Sequence, residues 1–287
     1  MDIYTGMVLA ALIFLASLVS VELGISAAII EITLGVLAGN LIHVQQLDWI
    51  KYITGFGGIL LTFLAGAEVD RKIMREKAKE SFLIGSISFL APFLGTMFVC
   101  RYLLHWSWAP AKLAGVALST TSLAVVYAVL VETGLTRTEI GKIIMAAATF
   151  VTDFGTALGL SLLFISPNIN TMWFAVISIG IVAGSPRIAP RLFRRYGERV
   201  IEPEIKLIFL ILLVLMFFAQ AGSSHAILPA FVLGLVLSDL FHANRSLQRK
   251  IRVVAFAFIT PIFFMNGGMN ISLSFGPTPR FSEYSWR

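Results

Sequence analysis

Charge and cysteine are both scarce in this sequence. Charged residues make up 13% of its 287 residues, against roughly 25% in soluble domains, whereas 57% are hydrophobic and the mean hydropathy is +0.87. A soluble fold cannot bury that much apolar surface, so the composition indicates a protein embedded in a lipid bilayer. The single cysteine, Cys100, excludes a disulfide framework within the chain and a metal site built from several cysteines.

Sequence motifs of enzymes are also absent. The chain has no HExxH zinc-protease motif, no GxxxxGK phosphate loop and no GxSxG nucleophile turn. Its four histidines all fall at the ends of apolar segments, and none of their spacings suits a metal. We therefore predict that the protein is not an enzyme and uses no cofactor.

Long apolar runs dominate what is present. A helix needs about 20 apolar residues to cross a hydrocarbon core of about 30 Å. Ten segments approach that length, at 4–21, 25–42, 52–69, 81–104, 111–131, 141–165, 171–190, 204–221, 225–241 and 252–272. We predict an all-α fold, a polytopic membrane helix bundle of about ten spans in residues 1–275, followed by a polar, disordered tail at 276–287. The second segment is short, so we expect a packed neighbour to support it.

Basic residues lie between the apolar segments, which explains the net charge of +6 without a nucleic-acid partner. Sixteen of them follow odd-numbered segments, within 71–79, 137–142, 187–199 and 245–252, and three follow even-numbered ones. Because basic residues accumulate in cytoplasmic loops, odd-numbered segments are predicted to end in the cytoplasm. The N-terminus would then lie outside a cell (inner) membrane.

Three pairs of glycines have the spacing that brings helices close together in lipid. The pairs are Gly35–Gly39, Gly155–Gly159 and Gly180–Gly184. Each places two glycines on one helix face, where a neighbouring backbone can approach. The spacing is common by chance in apolar, glycine-rich sequence, so each pair is a weak signal.

One acidic residue lies where an ionised side chain is costly. Asp153 is in the middle of the sixth apolar segment, and a carboxylate near the bilayer centre costs about 3 kcal/mol on insertion scales. Together with Thr149, Thr152 and Thr156 it forms a polar stripe, which must face protein or water because lipid offers no hydrogen bonds. We favour an ion or proton path over a buried carboxyl group with a purely structural role.

Four consecutive hydroxyl residues, Ser119 to Ser122, interrupt the fifth apolar segment. They cover about 300° of a regular helix, so they cannot all face one partner. Hydroxyl groups can satisfy backbone atoms where a membrane helix unwinds, and transporters use broken helices to bind ions. The alternative is a regular helix whose hydroxyls bond to the preceding turn.

A second intramembrane acid, Glu31, lies in the second segment. It either lines a pathway or anchors helix packing, and we favour packing. Glu68 and Asp70 close the third segment, where we expect a cap or an ion pair at the cytoplasmic rim.

Five sequence runs follow one another in the order seen in a known family. They are ITLGVLAGNL, GGILLTFLAGAEVD, ALSTTSLAVVYAVL, AAATFVTDFGTALGL and AFAFITPIFFMNGGMNISL. Residues 5–275 thus resemble the monovalent cation:proton antiporters, in the branch of bacterial sodium/proton exchangers and Kef-type potassium efflux systems. The resemblance implies exchange of Na⁺ or K⁺ for H⁺ by a core that moves against a dimerisation scaffold. The implied partners are the lipid bilayer, these ions and, at full length, a second copy of the chain.

The resemblance also implies the transport site. Asp153 matches the family's aspartate that binds either a cation or protons, and a discontinuous helix matches the segment near 119–122. Thr152, Thr120 and Thr121 are further candidates, because hydroxyl and carbonyl oxygens suit a hard cation. Relatives often carry Asp, Asn or Gln at the position of Thr152, so a second carboxylate is missing there.

Family members have more spans than the ten predicted here, arranged as an inverted repeat. We therefore expect an incomplete repeat, with the last stretch, FGPTPRFSEYSWR, as a truncated end. Two functions stay open. One is secondary exchange of a monovalent cation for protons, and the other is a non-transporting membrane remnant or scaffold.

Overall fold

The computed structural model describes residues 2–68, 76, 78–120, 135, 138–147, 169–197, 199, 201–222 and 224–273. All regular structure in these ranges is helical. The helices are α1 (Asp2–Leu23), α2 (Ala27–Asn40), α3 (Asp48–Glu68), α4 (Ala78–Phe98), α5 (Trp108–Ser119), α6 (Glu139–Ala147), α7 (Ile169–Tyr196), α8 (Pro203–Ala221), α9 (Ile227–Ala243), α10 (Arg245–Val254) and α11 (Thr260–Met269). A π-helical turn, Val99–Leu103, extends α4, and another, Ala255–Ile259, joins α10 to α11.

Each predicted apolar segment overlaps a described helix, although residues 121–131 of the fifth segment and 148–165 of the sixth lie outside the described residues. Within the described ranges, five helical stretches are long and apolar enough to cross a membrane: Ile3–Leu23, Phe82–Leu103, Ile169–Tyr196, Pro203–Ala221 and Ser246–Met269. α2 and α9 are apolar but shorter. The prediction of an all-helical, multi-pass membrane protein is therefore confirmed, whereas the number of about ten spans stays a prediction. The polar tail at 276–287 lies outside the described residues.

The first helix shows how lipid takes the place of a protein core. Along α1, Phe14 is 66% exposed and Val21 is 82% exposed. Water would make such a surface unfavourable, whereas hydrocarbon accepts it, and the helix satisfies its own backbone hydrogen bonds. The same apolar character that excludes a soluble fold therefore stabilises this helix in a bilayer.

The chain divides into two compact units, and unit 1 comprises residues 1–61 and 246–278. In unit 1, α2 packs against α1 and α11. A Cβ atom added at Gly39 would lie 2.8 Å from the carbonyl oxygen of Met269, and one at Gly35 would overlap the carbonyl oxygen of Met265. The close approach predicted for the Gly35–Gly39 pair is thus confirmed, and the short α2 has the packed neighbours that we expected.

Unit 2 comprises residues 62–245 and 279–287. In it, α4 contacts α5 and α6, while α7 contacts α8 and α9. The end of α3 packs against α9, where a Cβ atom added at Gly234 would lie 2.8 Å from the backbone nitrogen of Ala67. The rings of Phe63 and Phe241 meet edge to face, with centroids 5.7 Å apart. Unit 2 therefore has its own packed interior.

The other two glycine pairs differ from Gly35–Gly39. A Cβ atom added at Gly180 would have no atom within 4 Å, and one at Gly184 would meet only Ile188 of the same helix. The predicted close approach at this pair is therefore wrong for the described part of the chain. The Gly155–Gly159 pair lies outside the described residues.

Candidate cation site

The described part of the fifth apolar segment ends inside the hydroxyl cluster. α5 ends at Ser119, and Thr120 has an extended backbone with φ −79° and ψ 146°. The apolar sequence continues to residue 131, and neither proline nor glycine stands at this helix end. The discontinuous helix predicted near 119–122 requires a helix end at this position. The rest of that segment, 121–134, lies outside the described residues.

Two hydroxyl groups of the cluster satisfy carbonyl groups at the end of α5. The hydroxyl of Ser119 donates to the carbonyl oxygen of Val116 at 2.8 Å, and that of Thr120 donates to the carbonyl oxygen of Ala117 at 3.1 Å. The last four carbonyl groups of a helix have no partner within the helix, so each hydroxyl replaces a missing bond. A hydroxyl that donates its hydrogen keeps its lone pairs, so both oxygens remain able to bind a cation.

The electrostatics of this helix end favour a cation. Aligned peptide dipoles give the C-terminal end of a helix a partial charge of about −0.5. The last turn of α5 carries no basic residue that would neutralise it. Ser119 is 2% exposed and Thr120 is exposed, so one oxygen lies inside the protein and the next is accessible. This arrangement supplies oxygen ligands and negative potential at one place.

The α4–α5 pair holds this helix end in position. A Cβ atom added at Gly115 would lie 3.0 Å from the carbonyl oxygen of Phe93, so the two helices are in close contact. At the start of α5, Arg101 donates to the carbonyl oxygen of Trp106 at 3.0 Å, and its guanidinium lies 5.2 Å from the ring centre of Trp108. Contacts at both places fix the direction in which α5 points.

The structure places one of the four candidate ligands. Thr120 is described, whereas Asp153, Thr152 and Thr121 lie outside the described residues. α6 ends at Ala147, six residues before Asp153, and it packs against α4. α4 therefore contacts both of the helices that lead towards the candidate site.

Buried polar side chains in unit 1 were not singled out by the sequence, apart from Glu31. Glu31 is 4% exposed, on the face of α2 that also carries Gly35. Thr260 is 2% exposed and Asn266 is 6% exposed, both on α11. For Thr260 and Asn266, the signal available in the sequence was that each is a polar residue within an apolar run. Their burial could not be seen without the neighbouring helices.

The described part of the chain is helical, and several of its helices are long and apolar enough to cross a membrane. Residues 8–286 match the family described as sodium/hydrogen exchanger, transmembrane, and the chain belongs to that family. The resemblance found in the sequence is thereby confirmed.

Curated relatives carry antiporter names. Probable Na(+)/H(+) antiporter 3 of Methanocaldococcus jannaschii is 26% identical over 281 residues, which are 94% of this chain and 72% of the relative. Cation/H(+) antiporter 18 of Arabidopsis thaliana is 27% identical over 80% of this chain and 30% of its own length. Na(+)/H(+) antiporter NhaS5 of Synechocystis is 27% identical over 80% of this chain and 33% of its own length. The chain thus spans 72% of the first relative and about a third of the other two.

A solved structure shares the fold. The sodium proton antiporter MjNhaP1 of Methanocaldococcus jannaschii has a TM-score of 0.72 at 20% identity, over 95% of this chain and 71% of that protein. At this level of identity the similarity shows the fold alone.

Proposed function

We propose that this protein exchanges a monovalent cation, Na⁺ or K⁺, for protons across the membrane, and that Asp153 binds the two in alternation. The family supports cation/proton exchange. The observation that carries the site is the end of α5 at Ser119, where hydroxyl and carbonyl oxygens gather on a membrane helix.

A single carboxylate is sufficient to couple the two fluxes. When Asp153 holds a proton it cannot bind a cation, and when it binds a cation the proton has left. The oxygens of Thr120, Thr121 and Thr152 would complete the coordination of the cation, since alkali ions prefer oxygen ligands. If the occupied site opens to one side of the membrane at a time, each ion moves only in exchange for the other.

The membrane location, the orientation and the assembly are proposed from the distribution of basic residues and from the resemblance. The distribution of basic residues supports an orientation with the N-terminus outside, and the resemblance to bacterial exchangers favours a cell (inner) membrane. Lipid is the surrounding medium, and a homodimer is the assembly implied for the full-length protein. These assignments belong to the same proposal.

The test is exchange in vesicles that contain the purified chain. We expect Na⁺ or K⁺ to dissipate a preformed pH gradient in the wild type, and Asp153→Asn to abolish this signal while the protein still inserts. Asp48→Asn is the matched control, because Asp48 is exposed and its ion pair among the described residues is a surface one, with Lys51 at 3.4 Å. Exchange that survives Asp153→Asn would reject the assignment of the site.

The alternative function, a membrane scaffold that does not transport, is tested in the same vesicles. A wild-type chain that is folded in vesicles but inactive with every alkali ion would favour this alternative. Activity with any one of them would exclude it.

A further inference from the structure

Two basic side chains lie near the start of α5, on the side of the membrane where the sequence has few of them. The even-numbered connections between apolar segments contain three basic residues, Lys51, Arg101 and Lys112. Lys51 forms an ion pair with Asp48 at 3.4 Å. Residues 81–131 contain no Asp or Glu, and neither Arg101 nor Lys112 has an acidic partner within the described residues. Two such charges at one place depart from the general distribution of basic residues and require an explanation.

Arg101 and Lys112 both lie next to Trp108. The guanidinium of Arg101, on the π-helical turn that extends α4, lies 5.2 Å from the ring centre of Trp108. Lys112 follows Trp108 by one turn on the same face of α5. Side chains on a helix lean towards its N-terminus, so that of Lys112 extends towards the turn that carries Trp108. Because α4 and α5 are in close contact at Gly115, one packed pair of helices carries both charges.

The polar groups at this place have hydrogen-bonding capacity that the protein leaves unused. Arg101 donates to the carbonyl oxygen of Trp106 at 3.0 Å and makes no other hydrogen bond within the described residues. Its Nε atom is buried, which leaves the terminal nitrogens as the donors that a ligand can reach. Ser107, the N-cap residue of α5, makes no capping bond with its side chain, so the first N–H groups of this helix are uncapped as well. Charge and donors together favour an anion, and a planar guanidinium suits a phosphate group in particular.

Exposed apolar side chains adjoin the two cations. Trp108 is 47% exposed and Leu103 is 61% exposed. Phe98, about one turn before Arg101, is also exposed, and its ring contacts that of Tyr102 with centroids 5.1 Å apart. Tryptophan and tyrosine are typical of the boundary between lipid headgroups and hydrocarbon, where one end of the side chain is wet and the other is not. A ligand that fits this surface therefore combines an anionic head with an apolar chain.

We propose that an anionic phospholipid binds here, with its phosphate group on Arg101 and Lys112 and an acyl chain along Phe98 and Tyr102. Inorganic phosphate would match the charges alone, whereas a phospholipid also covers the exposed rings. A zwitterionic headgroup carries a positive charge that the two cations repel, so a headgroup with a net negative charge fits better. In the predicted orientation the lipid belongs to the outer leaflet. This site does not use Asp153, and it goes beyond the cation exchange proposed above.

Quenching of tryptophan fluorescence by brominated lipids tests the proposal. The purified chain is placed in phosphatidylcholine bilayers that contain a varied fraction of brominated phosphatidylglycerol or brominated phosphatidylcholine. The signal of Trp108 is the difference between proteins with and without Trp108→Phe. Each basic residue near an anionic lipid contributes about a fivefold preference, so we expect the wild type to prefer phosphatidylglycerol about 25-fold. The preference should fall to about fivefold in Lys112→Gln and vanish when Arg101→Gln is added.

Equal quenching by the two lipids in the wild type, or an unchanged preference in Lys112→Gln, would overturn the site. Lys112→Gln leaves the contacts of Arg101 in place, so it keeps the test decisive if the double variant does not fold. Lys51→Gln is the matched control, because Lys51 is a basic residue on the same predicted side of the membrane and pairs with Asp48. It should leave the preference unchanged. A loss as large as that in Lys112→Gln would show a general effect of surface charge and contradict a local site.

Two further measurements separate this proposal from its neighbours. Excess inorganic phosphate at constant ionic strength should not reverse the preference for phosphatidylglycerol. Reversal would show that the site binds the free anion and would reject a lipid as its occupant. The Asp153→Asn variant should keep the preference even though it loses exchange, so failure of the proposed function and failure of the lipid site are distinguishable.

Discussion

The contact between α2 and α11 gives a prediction whose size follows from the structure. In Gly35→Ala, the new methyl group would overlap the carbonyl oxygen of Met265 and lie 3.1 Å from the Cα atom of Gly268. Both obstacles are backbone atoms, which cannot rotate away as a flexible side chain can. Overpacking of this kind costs about 1–3 kcal/mol, whereas alanine in place of glycine in a helix gains at most about 1 kcal/mol. The helices must therefore separate, and we expect a net loss of about 1–2 kcal/mol.

The assay is thermal unfolding in detergent, followed by size-exclusion chromatography. Gly180→Ala is the matched control, because a methyl group there would have no atom of the described residues within 4 Å and should leave the melting temperature unchanged or slightly higher. We expect Gly35→Ala to melt several degrees below the wild type. A Gly35→Ala variant as stable as Gly180→Ala would refute the close backbone contact and the register that depends on it.

Further predictions concern the interior of unit 2 and the helix end. Phe63→Ala should lose about 3–5 kcal/mol of stability, because Phe63 is fully buried. The loss would be seen as a lower melting temperature, and a loss below about 1 kcal/mol would contradict the packing around Phe63. Thr120→Val should raise the apparent KM for the cation about tenfold in vesicles, because it removes one of the proposed oxygen ligands, worth about 1.5 kcal/mol. Thr33→Val is the control, because the exposed hydroxyl of Thr33 also donates to a carbonyl oxygen of its own helix, at 2.8 Å. This variant should leave KM unchanged. Equal KM values for the two variants would reject Thr120 as a ligand. Arg101→Lys should lower the melting temperature slightly, since lysine loses the stacking on Trp108 and keeps the charge.

The helices were predictable because lipid leaves the backbone few choices. Without water, every peptide group must bond within its own helix, so an apolar run and a helix coincide. α8 illustrates this, with the apolar segment predicted at 204–221 and the helix at Pro203–Ala221. α5 is the informative exception, because its helix ends at Ser119 while the apolar sequence continues. There the hydroxyl groups, and not hydropathy, carried the signal.

Helix packing was predictable only in part. Gly35–Gly39 and Gly180–Gly184 have the same spacing, yet the first pair touches another backbone, whereas no other described helix approaches the second. Spacing shows that a close approach is possible, but only the neighbouring helix decides whether it occurs. The sequence contained no information that distinguished the two pairs.

The buried polar residues were the least predictable part. Glu31 was interpreted as a packing residue, and the structure does place it in a helix contact. The burial of Thr260 and Asn266, whose side-chain oxygens make no hydrogen bond within the described residues, depends on how α11 packs against helices that are far away in the chain. Neither periodicity nor composition encodes that packing.

The central claim, that one carboxyl group binds H⁺ and an alkali cation in alternation, is tested most directly by proton release from the purified protein in weakly buffered detergent solution. On addition of Na⁺ or K⁺, the account predicts that the wild type releases protons in proportion to the cation bound, and that Asp153→Asn releases none. Cation binding without proton release, or equal release from the Asp153→Asn protein, would contradict it.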